Sequence, residues 1–421
     1  MMIQKGYSKK IADNLTLRIA LDDVNELKRF ISFNSAVHQE ESLKRYINRL
    51  FLEHPKRNEI YWIYIEENDS NKMVSSIVLA PLEWDFDGTL IPVCEMSLVG
   101  TLTEYRNRGL IGILNELYEE IMEQKGYLLS VIRGIPYYYR KFGYEFALNL
   151  DERLVLNKDQ IPSTEFENIT IRKARWQDFS FIKSIYNNEI EKFFITNNFN
   201  QKNFHHKFMN VDFDNNFSST YLIEVKGRLK SFFSLGLSYD CVGYSLVVPE
   251  INEKCMLKIL QFVDELSKEK DEIVFQVNSN TKFAQYICSI GGKKNLGYGW
   301  QIRIPNIKRF LHAIIPVLEQ RIERSSYTGL TQDVVISDYR ENFILIFKTG
   351  KIEDIAVSKG YPFPGSCDVQ IPNSFLIKLL LSDRTFEEIK YIVRDSILKP
   401  ESENLIKILF PKKPSLPDTY Y

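Results

Sequence analysis

The chain has little of what would make it a metalloprotein, a disulfide scaffold or a membrane span. Its five cysteines, Cys94, Cys241, Cys255, Cys288 and Cys367, are scattered, with no C-x-x-C pair and no histidine spaced to complete a zinc site. They read as reduced packing residues, and no metal is expected. The adjacent His205 and His206 project in different directions, which also disfavours a metal site. No run approaches the roughly 20 apolar residues that a bilayer demands. The start, MMIQKGYSKK, has no apolar signal segment. A cytoplasmic protein without membrane contact is the expectation. Neither sign of charge dominates, with 54 Lys and Arg against 55 Asp and Glu, so no overall field draws nucleic acid.

What is present is a globular profile: 421 residues, 44% hydrophobic and 26% charged, long enough for two or three domains. LTLRIALDDVNELKRFISF reads as a strand entering a helix capped by Asp22 or Asp23. IYWIYIEE, MVSSIVLAPLEW and LIPVCEMSLVGTL read as an antiparallel meander with a hairpin at Asp87-Gly88. Leu110, Leu114, Leu117 and Ile121 then recur at helical spacing, and YLLSVI follows as a buried strand. Past the polar linker NKDQIPSTEFEN, ITIRKARWQDFSFIKSIYNNEI repeats the strand-then-helix opening, with Asp178 as the expected cap. FAQYICSIGGKKNLGYGW is similar to YYYRKFGYEF, a sign of internal duplication. From Pro305 the sequence predicts one long amphipathic helix, IKRFLHAIIPVLEQRIERS, then the strands VVISDY and NFILIFK, a hairpin turn at 348–351, and the helices LIKLLL and FEEIKYIV. The ending PKKPSLPDTYY reads as a frayed tail.

The stretch with chemical content is SLVGTLTEYRNRGLIGILNELYEEI, a strand leading through a basic, glycine-containing turn into a helix. A helix start offers free backbone N–H groups, Gly109 allows close approach, and Arg106 and Arg108 add positive charge, which together suit a pyrophosphate.

This stretch resembles the acyl-CoA-binding motif of the GNAT acetyltransferases, and YYYRKFGYE resembles that family's Tyr-x-x-x-Gly-Tyr signature. The whole layout resembles a narrower group, the Eis-type (enhanced intracellular survival) N-acetyltransferases. The second unit lacks R-x-x-G in GYSLVVPEINEKCMLKIL, and LLLSDRTFEEI resembles a segment of a sterol-carrier-protein-like domain. The resemblance implies an α+β fold: a catalytic GNAT domain over 1–155, a degenerate GNAT domain over 165–303, and a sterol-carrier-protein-like domain over 304–421. It implies acetyl-CoA as acyl donor, held by Val99, Gly100, Thr101, Arg106, Asn107, Arg108, Gly109, Leu110, Ile111 and Gly112, with Gly134 and Ile135 flanking the thioester. It further implies Tyr139 as general acid, the terminal carboxylate of Tyr421 as base, and a backbone N–H near Val99 for the oxyanion. The acceptor expected is a primary amine of aminoglycoside, polyamine-like or lysine type, and the assembly a homo-oligomer, a hexamer in the group. Glu95, Glu104 and Asp418 are the acidic residues near the motif, and His38 is a candidate to line an acceptor pocket. A different reading makes the chain a non-catalytic carrier of lipid or another small molecule, which gives the basic turn and Tyr139 no purpose.

Overall fold

The computed structural model describes residues 3–40, 42–150, 152–198, 201–204, 218–237, 243–267, 271–295, 297–363 and 365–417. They form two compact units. The first takes the chain up to Leu148, Phe194–Asn198 and the stretch from Trp300 onward, and the second takes Asn149–Phe193 and the described residues from Gln201 to Gly299.

In the first unit the chain runs β1 (Ser8–Ala12), β2 (Leu15–Ile19), α1 (Val24–His38), α2 (Ser42–Asn48), β3 (Tyr61–Glu67), β4 (Lys72–Phe86), β5 (Thr89–Thr101), α3 (Leu110–Lys125), β6 (Leu129–Ile132) and β7 (Glu145–Asn149). Asp23 caps α1, its carboxylate accepting from the N–H groups of Asn25 and Glu26. The β4–β5 hairpin turns on Asp87 at φ 51° and Gly88 at φ 92°, the left-handed pair that a two-residue turn requires. Leu110, Leu114, Leu117 and Ile121 lie on one side of α3 and pack onto Ile63, Ile65, Val74, Ile77, Cys94 and Met96 of the sheet.

Sequence order does not give the sheet order. Strand Gly299–Arg303, far along the chain, lies between β6 and β7 and pairs antiparallel with β6, Gln301 opposite Ile132. Ile195–Asn197 adds to the outer half of β4, opposite Phe86–Trp84. Trp84 and Phe86 are consequently core residues with no exposed surface.

The later part of this unit carries a second sheet in the order Lys351–Lys359, Glu341–Lys348, Gln332–Ser337, Val369–Gln370, Ile397–Leu398. The single long helix expected at its start is two, Ile307–Ala313 and Ile315–Glu323. Pro316 lacks the N–H and the space to continue the first helix, so it opens the second. The described part of the tail is paired and not frayed: Phe194 N–H donates to Pro414 O at 2.8 Å and Leu416 N–H to Ile195 O at 2.8 Å.

The second unit is a sheet in the order Lys293–Lys294, Glu152–Asn157, Glu272–Val277, Tyr244–Val247, Arg228–Leu237, Ser218–Val225, Ile169–Lys173. Asp178 does not cap the helix Phe179–Ile190 with its side chain. Its carboxylate accepts from Arg175 N–H at 2.8 Å and pairs with Arg172 at 2.8 Å, closing the short turn before that helix. Of the cysteines, Cys94, Cys255 and Cys367 are buried and Cys288 is exposed. Cys241, His205, His206, Asp418 and Tyr421 lie outside the described residues.

Candidate active site

The site is built on a fork between two parallel strands. β5 and β6 pair only through Val93–Leu129, Cys94–Ser130 and Glu95–Val131. Beyond Glu95 the strands part. Their last pair is tied by Arg133, whose Nε and Nη2 lie 3.0 and 2.9 Å from Oε1 of the buried Glu95.

Past the fork β5 carries a bulge. Ser76 pairs with Gly100 and Val78 with Ser97, so Ile77 faces both Leu98 and Val99, and Leu98 adopts φ 49°. Ser76 Oγ donates to Leu98 O at 3.0 Å, Ser75 Oγ donates to Gly100 O at 2.9 Å, and Leu102 N–H reaches Val74 O at 3.0 Å. Leu98, Gly100 and Leu102 thus direct their backbone groups at β4. By strand alternation Val99 and Thr101 direct theirs at the open edge. Those two residues present backbone donors and acceptors without a strand partner to whatever enters the fork, and Val99 N–H stands beside the bulge.

The chain then turns through Tyr105–Gly109 into α3. Asn107 at φ 61° and Gly109 at φ 74° are left-handed. Gly109 caps α3 without a side-chain bond, so the N–H groups of Leu110 and Ile111 have no intrahelical acceptor. A β-carbon at Gly109 or Gly112 would meet nothing within 4 Å, so the space above the helix start is open. Arg106 Nε is 3.4 Å from Thr101 O, and Arg108 is held by Glu104 O at 3.0 Å and by the Tyr105 ring, 4.7 Å from its guanidinium carbon. A helix start with unsatisfied N–H groups beside two guanidinium groups is chemistry suited to an anion.

The third component lies across the fork. Three residues beyond the last pair stand Leu98 on β5 and Gly134, two residues past the end of β6. A β-carbon on Gly134 would lie 2.1 Å from Tyr139 Cε2, so the tyrosine ring occupies the place that a larger residue would fill. Tyr139 is buried in the short helical turn Tyr138–Phe142, edge-on to Tyr138 at 5.1 Å and to Tyr144 at 6.1 Å. Ile135, next to Gly134, is 64% exposed at the mouth. Gln301 Nε2 donates to Gly134 O at 2.8 Å and to Ile135 O at 3.3 Å, fixing this segment from the strand outside β6.

Cys94, under the fork, is no nucleophile, because burial pushes its thiol up to about 12. Among the described residues no group of His, Cys, Asp and Glu is placed to hold a metal ion, and no helix is long and apolar enough to cross a membrane. Glu104 is exposed and paired with Lys72 at 2.8 Å.

The structure brings together Val99, Gly100, Thr101, the 106–112 turn, Gly134, Ile135 and Tyr139. Sequence reasoning missed Gln301, the Glu95–Arg133 tie and the bulge at Leu98, since each depends on a partner distant in sequence or on a register shift that leaves no local signal.

A parted parallel strand pair, a helix start with unsatisfied N–H groups and a tyrosine buried against Gly134 make up the candidate site. Residues 21–147 match the family of acetyltransferase (GNAT) domains. The chain carries a GNAT acetyltransferase domain, a kind of domain that uses acetyl-CoA as acyl donor, and is an acyltransferase. No curated protein matches it in sequence. Solved structures match nearly end to end. A conserved protein from Enterococcus faecalis has TM-score 0.69 at 11% identity, covering 97% of this chain and 100% of that one. A GCN5-related N-acetyltransferase from Anabaena variabilis has TM-score 0.66 at 14% identity, covering 95% and 99%. Eis1 from Mycobacterium abscessus has TM-score 0.61 at 12% identity, covering 96% and 99%. At such identities the likeness is one of fold.

Proposed function

We propose that this enzyme moves the acetyl group of acetyl-CoA directly to a primary amine in a ternary complex. The observation that carries the reading is the fork itself, with Val99 and Thr101 lacking a strand partner on its open side, a bare helix start at Leu110 and Tyr139 buried against Gly134. In this reading the pantetheine arm pairs with Val99, Gly100 and Thr101, and the pyrophosphate sits on Arg106, Asn107, Arg108, Gly109, Leu110, Ile111 and Gly112. The thioester lies between Leu98 and Gly134–Ile135. The amine nitrogen attacks the thioester carbon, and Val99 N–H meets the oxyanion. The C–S bond breaks and Tyr139 gives its proton to sulfur, as a phenol can to a thiolate whose ordinary pKa is about 8.5. An inert Cys94 thiol supports direct attack over an acetyl-cysteine intermediate.

For the base we propose the α-carboxylate of Tyr421. Support comes from the course of the described tail: Leu416 pairs in parallel with Thr196, which faces Asp85, so the tail advances from the hairpin end of β4 toward the middle of that strand. We also propose the Eis-type arrangement, with a catalytic GNAT domain over 1–155, a degenerate copy over 165–303 and a sterol-carrier-protein-like domain over 304–421. Supporting the degenerate copy, the helix Glu253–Leu266 has its start capped by Asn252, whose Oδ1 accepts from Cys255 N–H at 3.0 Å, and flanked by Glu250 and Glu253. That leaves an anion a poor fit where Gly109 leaves room for one. A cytoplasmic homo-oligomer, hexameric by resemblance, acting on an aminoglycoside, polyamine-like or lysine amine completes the proposal.

The test is release of free coenzyme A thiol from acetyl-CoA against a panel of amines by the native chain, Tyr139→Phe, and a chain extended beyond Tyr421. Turnover by the native chain with loss in both variants supports both roles. Full activity of the extended chain removes the terminal carboxylate as base, and no turnover with no acetyl-CoA binding removes the reading altogether.

A further inference from the structure

The last turn of α1 lies against β5 where that strand has parted from β6. Gly100 is the contact: a β-carbon there would lie 2.8 Å from Val37 Cγ1, 3.4 Å from His38 Nε2 and 3.5 Å from Phe33 Cε1. The imidazole nitrogen therefore stands against the backbone of the strand that we propose holds the acyl donor. It is on the α1 face, whereas Tyr139 packs into the core cluster that contains α3.

His38 Nε2 is buried and, among the described residues, has no hydrogen-bond partner. Leaving a buried polar atom unsatisfied is costly, and such an atom calls for an explanation. Burial lowers the imidazole pKa, and the nearby Glu40 carboxylate works in the opposite direction. The ring is accordingly neutral at pH 7, with one N–H and one lone pair.

We propose that His38 Nε2 accepts a hydrogen bond from the attacking nitrogen of the acceptor and so selects primary over secondary amines; the proposal rests on the acetyltransferase reading above. A neutral primary amine has two N–H bonds and one lone pair. With one N–H held by His38 and the other facing the base, the lone pair points at the thioester carbon. On attack the C–N bond forms, the base takes one proton, the C–S bond breaks and Tyr139 protonates sulfur. The N–H held by His38 stays on nitrogen and becomes the amide N–H. A secondary amine has a single N–H and must forgo either His38 or the base. A site built around a hydrogen bond discriminates strongly against a ligand that cannot make it.

The experiment compares kcat/KM for putrescine and an N-terminally blocked lysine peptide with that for N,N′-dimethylputrescine and the matching Nε-methyllysine peptide, in the native chain, His38→Ala and His38→Asn. Acetyl-CoA affinity and Tm are followed alongside. The native chain is expected to prefer primary amines. His38→Ala should lose on the order of tenfold or more on primary amines and less than about threefold on their N-methyl derivatives, with acetyl-CoA affinity unchanged. His38→Asn keeps a carbonyl acceptor and should recover part of the preference; it alone serves if the alanine variant fails to fold. Equal losses on both amine classes, or no loss, overturn the role of His38 while leaving the acetyltransferase reading intact. No turnover by the native chain on any amine overturns both.

Discussion

Tyr139 occupies the space that Gly134 leaves: a β-carbon on Gly134 would fall 2.1 Å from Cε2 and 2.4 Å from Cδ2 of the ring. Gly134→Ala should therefore displace the tyrosine. We expect kcat to fall on the order of 100-fold, the effect of moving a reacting group by about 1 Å. Tyr139→Phe should cost about 10²- to 10⁴-fold, and the double variant should be no worse than Tyr139→Phe alone. Steady-state thiol release measures all three; additive losses would show that Gly134 acts independently of the ring.

Gln301 ties the Gly134 and Ile135 carbonyls from a strand more than 160 residues further along the chain. Gln301→Leu keeps the volume and removes the donor. The unpaired carbonyls should cost about 1–3 kcal/mol of stability, read from the urea midpoint, and kcat should fall with KM for acetyl-CoA little changed.

Arg106→Ala and Arg108→Ala each remove a cation from the turn before α3. Each should weaken acetyl-CoA binding by about 1.5–3 kcal/mol, the range of a charge-assisted hydrogen bond. Calorimetric titration should also show a smaller salt dependence in the variants. An unaltered affinity in both would move the pyrophosphate elsewhere.

Arg172 holds the Asp178 carboxyl below its ordinary value of 3.8. Near that pH the folded chain binds fewer protons here than the unfolded chain, so the stabilisation is complete above 3.8 and is lost as pH falls through the lowered folded value. In Asp178→Asn this contribution is missing at every pH. Acid unfolding followed by circular dichroism should show a shallower loss of stability below about pH 4 than in the native chain.

Much of the first unit is legible in the sequence because its signals are local. Asp23 caps α1 by bonding N–H groups two and three residues on, Asp87-Gly88 turns a hairpin through its own φ angles, and the Leu110–Ile121 spacing buries one side of α3. Gly109 is legible for the same reason, since a helix start creates its own free donors. Local signals also misled. The apolar spacing through IKRFLHAIIPVLEQRIERS continues across Pro316, but the ring breaks the helix there. Asp178 stands where a cap belongs, yet its carboxylate turns back to Arg172 and Arg175.

Sequence alone thus determined most strands and helices of the first unit and the basic turn before α3, all set by interactions within a few residues of chain. Tertiary structure alone decided that β5 and β6 part after Glu95, that Gly299–Arg303 braces β6 from outside, and that His38 comes to rest on Gly100. Each of these joins residues tens to hundreds of positions apart, and such pairings are chosen by which surfaces can be buried together, a property of the whole folded chain that no local pattern encodes.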